Sequence, residues 1–190
     1  MLFVRQASTP GTRAACFPAP DQDADAASLA GAVGMPRDGS AWVSPAKAAG
    51  QTATAMGLAA IEVPALAEAD HGRWRGMPYE RVAREDPDGL AAWLADPHAT
   101  PHGGESLAVL AGRVGAWLDT TLPGGAGVAV CDAGVIRAAL GHALGLGPAV
   151  TARFDLAPLS TTELTPARGG WRVGHVNRRP STQTRRRTKE

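Results

Sequence analysis

Two short apolar runs, each ending in a charged residue, constrain the fold of this chain more than any other feature. The first covers residues 2–4 (LFV) and ends at Arg5, and the second covers residues 128–131 (VAVC) and ends at Asp132. Runs of this length that stop at polar turns are typical of strands buried in a parallel sheet. Ligands of open α/β sheets bind beyond the carboxyl ends of such strands. Arg5 and Asp132 are therefore the first candidates for a functional site.

The rest of the sequence alternates short apolar strands with amphipathic helical patterns. Helices are predicted at residues 26–33, from Ser44-Pro45 onward, and at residues 78–84, 87–94, 106–120 and 135–144. Three more strand-like runs, at residues 152–156, 161–165 and 171–176, are expected to close the domain. This alternation predicts an α/β fold, a three-layer α/β/α sandwich with a central, mostly parallel sheet.

The length and charge of the chain favour one domain followed by a tail. The 190 residues are 44% hydrophobic, enough for a single core, which we place at residues 1–177. Residues 178–190 hold six basic residues and one acid, so the body before them is mildly acidic. The tail is expected to be disordered, although contact with nucleic acid or an anionic membrane is an alternative. The acidic body gives no reason to expect nucleic-acid binding.

The cysteine content and hydropathy suggest a location. Cys16 and Cys131 are too few for a disulfide framework, which predicts a reducing compartment. No basic and apolar leader precedes the first strand, and no apolar run approaches the length of a membrane span. The sequence therefore predicts a cytoplasmic protein that does not bind a membrane.

Several segments together carry a family resemblance. They are Arg5-Gln6-Ala7, residues 44–53 (SPAKAAGQTA), residues 68–76 (EADHGRWRG), residues 103–106 (GGES) and Asp132-Ala133-Gly134. Over nearly all of residues 1–177 the chain resembles the histidine phosphatase (phosphoglycerate mutase-like) superfamily. In that family the first signature reads Arg-His-Gly and the later one reads His-Gly-Gly or similar, so both histidines are absent here.

The resemblance implies roles for individual positions. In the family a histidine becomes phosphorylated, two arginines and a second histidine neutralise the phosphoryl group, and a glutamate protonates the leaving group. Here Gln6 falls on the nucleophile, Asp132 on the second histidine and Ala48 on the second arginine. Only Arg5 and Glu68 match in identity. An amide nitrogen is not a nucleophile, but Gln6 can still bind a ligand as a donor or an acceptor.

Three more residues are ligand-binding candidates in the light of the resemblance. Arg13 lies in the loop that borders the substrate pocket in the family, and it is either a polar ligand contact or a surface arginine. His71 replaces a family aromatic and is either a packing substitute or a new catalytic group. His102, near the expected pocket rim, is an alternative proton carrier.

The charge of Asp132 predicts what the pocket rejects. A carboxylate about 4 Å from a phosphate oxygen repels it by roughly 1 to 4 kcal/mol at dielectrics of 80 to 20. The missing cation at Ala48 adds to this effect. Arg5 and Asp132 are expected to pair with each other, leaving a neutral cleft suited to a zwitterionic or hydrogen-bonding ligand.

Three function classes follow. The first is a pseudoenzyme that binds a small polar metabolite or regulates through it. The second is an enzyme using Glu68 and Asp132 as an acid–base pair. The third is residual phosphatase or mutase activity through His71, His102 or Cys131.

Cofactor, metal and assembly expectations complete the sequence prediction. No cofactor is expected, and no metal site, because Glu68, His71 and Asp132 lack compact ligand spacing. The sequence does not determine the oligomeric state, and a homodimer is one open possibility.

Overall fold

The computed structural model describes residues 1–35, 39–121 and 126–179, which form a six-stranded sheet flanked by helices. The strands are β1 (Leu2–Arg5), β2 (Ser40–Val43), β3 (Ile61–Glu62), β4 (Gly127–Cys131), β5 (Thr161–Ala167) and β6 (Gly170–Arg178). The helices are α1 (Pro10–Arg13), α2 (Ala26–Ala30), α3 (Lys47–Ala55), α4 (Tyr79–Glu85), α5 (Pro87–Ala95), α6 (Leu107–Thr120), α7 (Ala133–Leu144) and α8 (Pro148–Thr151). Short 3-10 turns occur at Pro64–Leu66 and Gly72–Trp74.

The sheet has the strand order β3-β2-β4-β1-β5-β6. The first four of these strands are mutually parallel, and β5 and β6 are antiparallel to their neighbours. The prediction of a mostly parallel sheet is confirmed. Since β1 and β4 are adjacent and Arg5 lies opposite Cys131 in register, both strands end at the same edge. The residues that follow them are thereby brought together.

Side chains alternate between two cores on opposite faces of the sheet. On one face Phe3, Ala129 and Cys131 pack with α6 and α7. On the other face Val4 and Val130 pack with α3. The three-layer arrangement is as predicted. The Cys131 thiol is fully buried, and this burial raises its pKa well above the usual value.

One sequence-predicted strand is wrong, and one predicted helix begins later than expected. Residues 152–156 do not form a strand, because Pro148 begins the short helix α8 and the chain then turns toward β5. The helix predicted from Ser44-Pro45 begins at Lys47, after the N-cap residue Ala46. The Ser44 hydroxyl accepts the Ala46 N–H at 3.3 Å, which holds Pro45 in the turn before the helix.

The last strand ends one residue after residue 177, where the sequence analysis ends the domain. Strand β6 pairs with β5 through Arg178, one residue beyond the expected end of the domain at residue 177. Of the predicted basic tail, the described residues include Arg178 and Arg179, and residues 180–190 lie outside them. No described helix is long and apolar enough to cross a membrane.

Candidate functional site

The ends of β1 and β4 bring three polar side chains into contact. Arg5 Nε lies 3.6 Å from Asp132 Oδ1, and Gln6 Nε2 donates to Asp132 Oδ2 at 3.1 Å. Arg5 also donates to the carbonyl of Leu156. The predicted pairing of Arg5 with Asp132 is confirmed, and the two charges largely neutralise each other inside the cleft.

The N-terminus of α7 is occupied by two carboxylates of the chain itself. Asp132 is the N-cap residue, and its Oδ1 accepts the Ala133 N–H at 2.6 Å. Glu68 Oε2 accepts the Gly134 N–H at 2.8 Å, across a sequence separation of 66 residues. The first N–H groups of a helix form an anion site because they lack partners within the helix. Here two of those donors are already used.

Gly134 allows the close approach of Glu68. A Cβ atom at position 134 would lie 2.1 Å from Glu68 Oε1 and 2.5 Å from Oε2. Any larger residue would push the carboxylate away from the helix terminus. The resemblance included Gly134 only as part of a signature, and its steric role was missed because the partner lies far away in the sequence.

Burial sets the protonation of Glu68. Removal of the carboxylate from water, followed by repulsion from Asp132, raises the pKa of Glu68 to about 7. The N–H groups of Ala69 and Gly134 and the charge of Arg113 act in the opposite direction. Glu68 can therefore gain or lose a proton near neutral pH.

Arg113 on α6 anchors the loop that carries Glu68. It forms a two-pronged pair with Glu105, with both N···O distances at 2.7 Å. It also donates to the carbonyls of Ala65 at 2.8 Å and of Glu68 at 3.3 Å. Glu105 lies before the N-cap Ser106, so it serves this anchor and not the helix dipole. The sequence interpretation missed Arg113, because its spacing of eight residues from Glu105 matches no helical pairing pattern and its other partners lie in a distant loop.

Aromatic side chains form one wall of the cleft. Phe17, His71, Tyr79 and Trp93 line it, and the Phe17 ring centroid lies 5.1 Å from that of His71 and 4.1 Å from that of Tyr79. Burial lowers the pKa of His71 to about 4, so this imidazole is neutral at pH 7. His71 thus packs as an aromatic ring. Phe17, Tyr79 and Trp93 were not predicted to line the site, because their distant segments converge only in the fold.

The structure leaves two predicted ligand contacts outside the cleft wall. Arg13 ends α1 and turns to pair with Asp25, with 62% of its side chain exposed. His102 is buried behind His71, with ring centroids 5.7 Å apart, and its Nδ1 accepts the Gly104 N–H at 3.0 Å. The short helix α1 and the turn after His102 direct these side chains elsewhere.

Ala48, the predicted position of the family's second arginine, supplies no cation to the cleft. Ala48 is buried on α3, with 2% exposure. Lys47 points away, and its Nζ bonds the Asp23 carboxylate at 2.9 Å. Arg137 also lines the cleft, and it donates to the carbonyl of Phe154, from Nε at 3.2 Å and Nη2 at 3.0 Å.

The cleft is one cavity of about 670 Å³. It brings together five of the predicted site residues, namely Arg5, Gln6, Glu68, His71 and Asp132. A cavity of this size is suited to one small ligand. Across residues 1–35, 39–121 and 126–179, no group of three or more His, Cys, Asp or Glu side chains is placed to hold a metal ion.

One family model and several mycobacterial proteins match this chain in sequence. The model of the histidine phosphatase superfamily (branch 1) matches residues 22–179. The bifunctional protein Rv2228c of Mycobacterium tuberculosis is 36% identical over 116 residues, which are 58% of this chain and 32% of that protein. An uncharacterized protein of Mycobacterium bovis, Mb2253c, matches with the same values. The chain spans about a third of the length of these relatives.

Solved structures share the fold. A mycobacterial glucosyl-3-phosphoglycerate phosphatase has a TM-score of 0.80 at 21% identity, covering 94% of this chain and 98% of its own. The alpha-ribazole phosphatase of Shigella flexneri has a TM-score of 0.79 at 18% identity, with coverage of 93% and 95%. A protein described as mycobacterial hydrolase 1 has a TM-score of 0.82 at 21% identity, with coverage of 95% and 98%.

Proposed function

The chain belongs to the histidine phosphatase superfamily, branch 1, and we propose that it is a degenerate member that binds a ligand without phosphoryl transfer. Gln6 and Asp132 stand where the signature histidines are expected, so no phosphohistidine forms. The protein acts as a binding or regulatory pseudoenzyme for a small, polar, phosphate-free metabolite. The fold shared with structures named as phosphatases supports the family assignment. The residues of this cleft support the loss of phosphoryl transfer.

The observation that carries the proposal is the occupied N-terminus of α7. Asp132 and Glu68 accept the N–H groups of Ala133 and Gly134, which are the donors that an incoming phosphate would need. A phosphate oxygen would have to displace a carboxylate and then remain close to it. Like charges about 4 Å apart repel by roughly 1 to 4 kcal/mol at dielectrics of 80 to 20.

The cations of the cleft give a phosphate little compensation. The Arg5 charge already faces Asp132, with Nε 3.6 Å from Oδ1, and Arg5 donates one N–H group to the Leu156 carbonyl. Arg137 spends two donors on the carbonyl of Phe154. A hydroxyl or amide group of a ligand, in contrast, can donate to the carboxylates without an electrostatic penalty.

Alternative nucleophiles are badly placed for the reaction. Cys131 packs into the core on the face of α6 and α7, and its raised pKa keeps it a thiol. His102 lies behind His71 and outside the cleft wall. His71 is neutral, yet it is buried among aromatic rings. Incubation with a phosphate-ester donor should therefore leave no acid-labile phosphate on the protein.

The test is calorimetric titration of sulfate into the unmodified protein and into Asp132→His at fixed ionic strength. The unmodified protein should bind sulfate weakly. Asp132→His removes a repulsive charge and adds a donor, so it should improve binding by about 1 to 3 kcal/mol. Asp88→His makes the same charge change at an exposed site of α5 and should have no effect. Tight sulfate binding by the unmodified protein would overturn the proposal.

A second candidate, acid–base catalysis on a small metabolite, is favoured by one observation. The pKa of Glu68, raised to about 7, suits a group that must both accept and donate a proton at neutral pH. Asp132 lies close enough to contribute to that shift. In this alternative, Glu68→Gln abolishes turnover while ligand binding persists. A pseudoenzyme would instead show binding and no turnover in either form.

We extend the proposal to location and assembly. Cys131 is a free, buried thiol and Cys16 is also free, as suits a reducing cytoplasm. A homodimer is compatible with the proposal, because ligand binding needs only the groups of one cavity. Sedimentation at several protein concentrations would decide between monomer and dimer.

A further inference from the structure

The cavity has two chemically different parts. The polar chamber, formed by Arg5, Gln6, Glu68 and Asp132, lies beyond the ends of β1 and β4. The apolar arm, lined mainly by Leu107, Leu110, Ala111, Ala138, Leu146 and Pro148, lies between α6, α7 and the start of α8, where His142 and Thr151 also border the cavity. The site discussed above consists of the polar chamber and the aromatic wall.

Helix α7 forms the floor that joins the two parts. Gly134, Ala138, Gly141 and Gly145 line the cavity in turn, each three or four residues after the previous one. They therefore lie along one side of the helix. Gly134 and Gly145 are about 16 Å apart along the axis at the rise of an α-helix. The cavity is thus long, and small side chains keep its floor open.

The polar chamber contains unused hydrogen-bonding capacity. In the chamber, Gln6 Oε1 and Arg5 Nε are buried and have no hydrogen-bond partner among the described residues, and the same holds for His71 Nδ1 in the adjoining aromatic wall. Gln6 and His71 are more than nine-tenths buried, with exposures of 6% and 4%. Buried polar atoms normally have partners, so these atoms mark where a ligand or solvent would bond. Gln6 Oε1 can only accept and Arg5 Nε can only donate, and a ligand hydroxyl can serve both.

We propose that the cavity holds one elongated, amphipathic ligand, with a hydroxyl-bearing head in the polar chamber and an aliphatic chain in the apolar arm. The assignment of a hydroxyl head depends on the proposed function, since the hydroxyl replaces the phosphate that Asp132 and Glu68 exclude. The assignment of an aliphatic chain depends only on the apolar arm. Because the arm and the chamber belong to the same cavity, we assign both to one ligand.

The experiment uses two homologous series as probes, with hexyl, octyl and decyl chains. One series is the 1,2-alkanediols and the other is the n-alkyl phosphates, both titrated below their micelle concentrations. Diol affinity should rise about two- to threefold per added methylene, somewhat less than the roughly fourfold that full burial of a CH₂ gives. At equal chain length, the phosphates should bind at least tenfold more weakly than the diols.

Substitutions in the arm should remove the dependence on chain length. Ala111→Phe should fill the arm, so that decyl and hexyl diols bind with similar affinity. Leu107→Asn should reduce the gain per methylene to below about 1.5-fold, and it serves if Ala111→Phe fails to fold. Val109 lies on the same helix but is 57% exposed. Val109→Phe and Val109→Asn are therefore matched controls that should retain the full dependence.

The outcomes separate the two ideas. If diol affinity does not depend on chain length, or if the Val109 controls lose the dependence as fully as the arm variants, the apolar arm is not a ligand site and the inference falls. If the affinity of both series depends on chain length but the phosphates bind as well as the diols, the aliphatic-chain assignment is supported. The phosphate-free head and the proposed function are then both contradicted. Chain-length dependence confined to the diols, lost in Ala111→Phe and Leu107→Asn alone, supports both.

Discussion

The two carboxylates of the cleft are held in different ways. Asp132 is held from its own edge of the sheet, by Arg5, Gln6 and the next N–H group of the chain. Glu68 is held from other elements, by Gly134 on α7 and by a loop that Arg113 ties to α6. Under the proposed function, Asp132 determines which ligand charge the cleft accepts. Glu68 depends on a distant scaffold, and its burial raises the pKa of its carboxyl group.

The largest expected effect comes from breaking the scaffold of Glu68. Arg113→Ala leaves Glu105 without its partner and frees the carbonyls of Ala65 and Glu68. Loss of one partner from a buried pair costs about 3 to 5 kcal/mol. Because both side chains are partly exposed, at 24% and 18%, we expect about 2 to 3 kcal/mol. Urea unfolding measures the change.

The control for Arg113 is an exposed ion pair. Arg81 bonds Glu85 at 3.0 Å on α4, with both side chains about half exposed. Arg81→Ala should reduce the free energy of unfolding by less than about 0.5 kcal/mol. Equal losses in the two variants would show that Arg113 is an ordinary surface residue.

The next effect tests the Asp132 side of the comparison. Adding Ala48→Arg to Asp132→His should improve sulfate binding beyond the gain of either single change, and the two changes should be coupled because both would touch one anion. Gln6→His alone should do little, because the aspartate remains. Ala48 is buried, so circular dichroism must first confirm that the arginine variant folds. Strict additivity would mean that the two positions do not share a site.

The contacts that hold Asp132 could be predicted from the sequence better than the contacts that hold Glu68. Arg5, Gln6 and Asp132 follow apolar strands, and parallel neighbours bring such positions to one edge of a sheet. The pairing of Arg5 with Asp132 could therefore be predicted. The support of Glu68 could not, because the steric fit of Gly134 and the anchor at Arg113 depend on tertiary contacts.

The errors of the sequence interpretation have similar causes. Arg13 was a candidate ligand contact or a surface arginine on loop position alone, and the local pair with Asp25 decides for the surface. Residues 152–156 looked like a strand from their composition, but Pro148 had already begun a helix that runs into a turn. In both cases the local structure next to the residue, and not the sequence pattern, determined its conformation. The fold as a whole was predictable because it depends on repeated apolar periodicity, which single contacts rarely override.

The pH dependence of stability should separate Glu68 from His71. The pKa of Glu68 is raised from 4.5 to about 7, so between these values the native state keeps a proton that the unfolded state has lost. The contribution of Glu68 is therefore present at low pH and lost as pH rises toward 7. The pKa of His71 is lowered from 6.5 to about 4, which gives a contribution that is lost as pH falls below 6.5. The two oppose each other in the unmodified protein.

Single variants should reveal each contribution. Relative to the unmodified protein, Glu68→Gln should gain about 1 to 2 kcal/mol in unfolding free energy between pH 4.5 and 7.5, below the roughly 3 kcal/mol of a fully buried group. His71→Phe should remove the opposing slope between pH 4 and 6.5. Urea unfolding at several pH values measures both. A Glu68→Gln curve parallel to that of the unmodified protein would mean that Glu68 titrates normally.

The smallest effect concerns the close contact at the start of α7. Gly134→Ala places a Cβ where the Glu68 carboxylate lies and should break the hydrogen bond to the helix terminus. The loss of about 1 kcal/mol is offset by the helix propensity of alanine, which alone favours the variant by up to about 1 kcal/mol. Gly112→Ala provides the matched control, because it lies on α6 with nothing near its added Cβ. Gly112→Ala should stabilise the protein, while Gly134→Ala should be neutral or destabilising. In a Glu68→Ala background the clash disappears, so Gly134→Ala should then stabilise as Gly112→Ala does. If the two glycine substitutions already agree in the unmodified protein, the Glu68 carboxylate does not occupy the helix terminus, and that site is free for an anion.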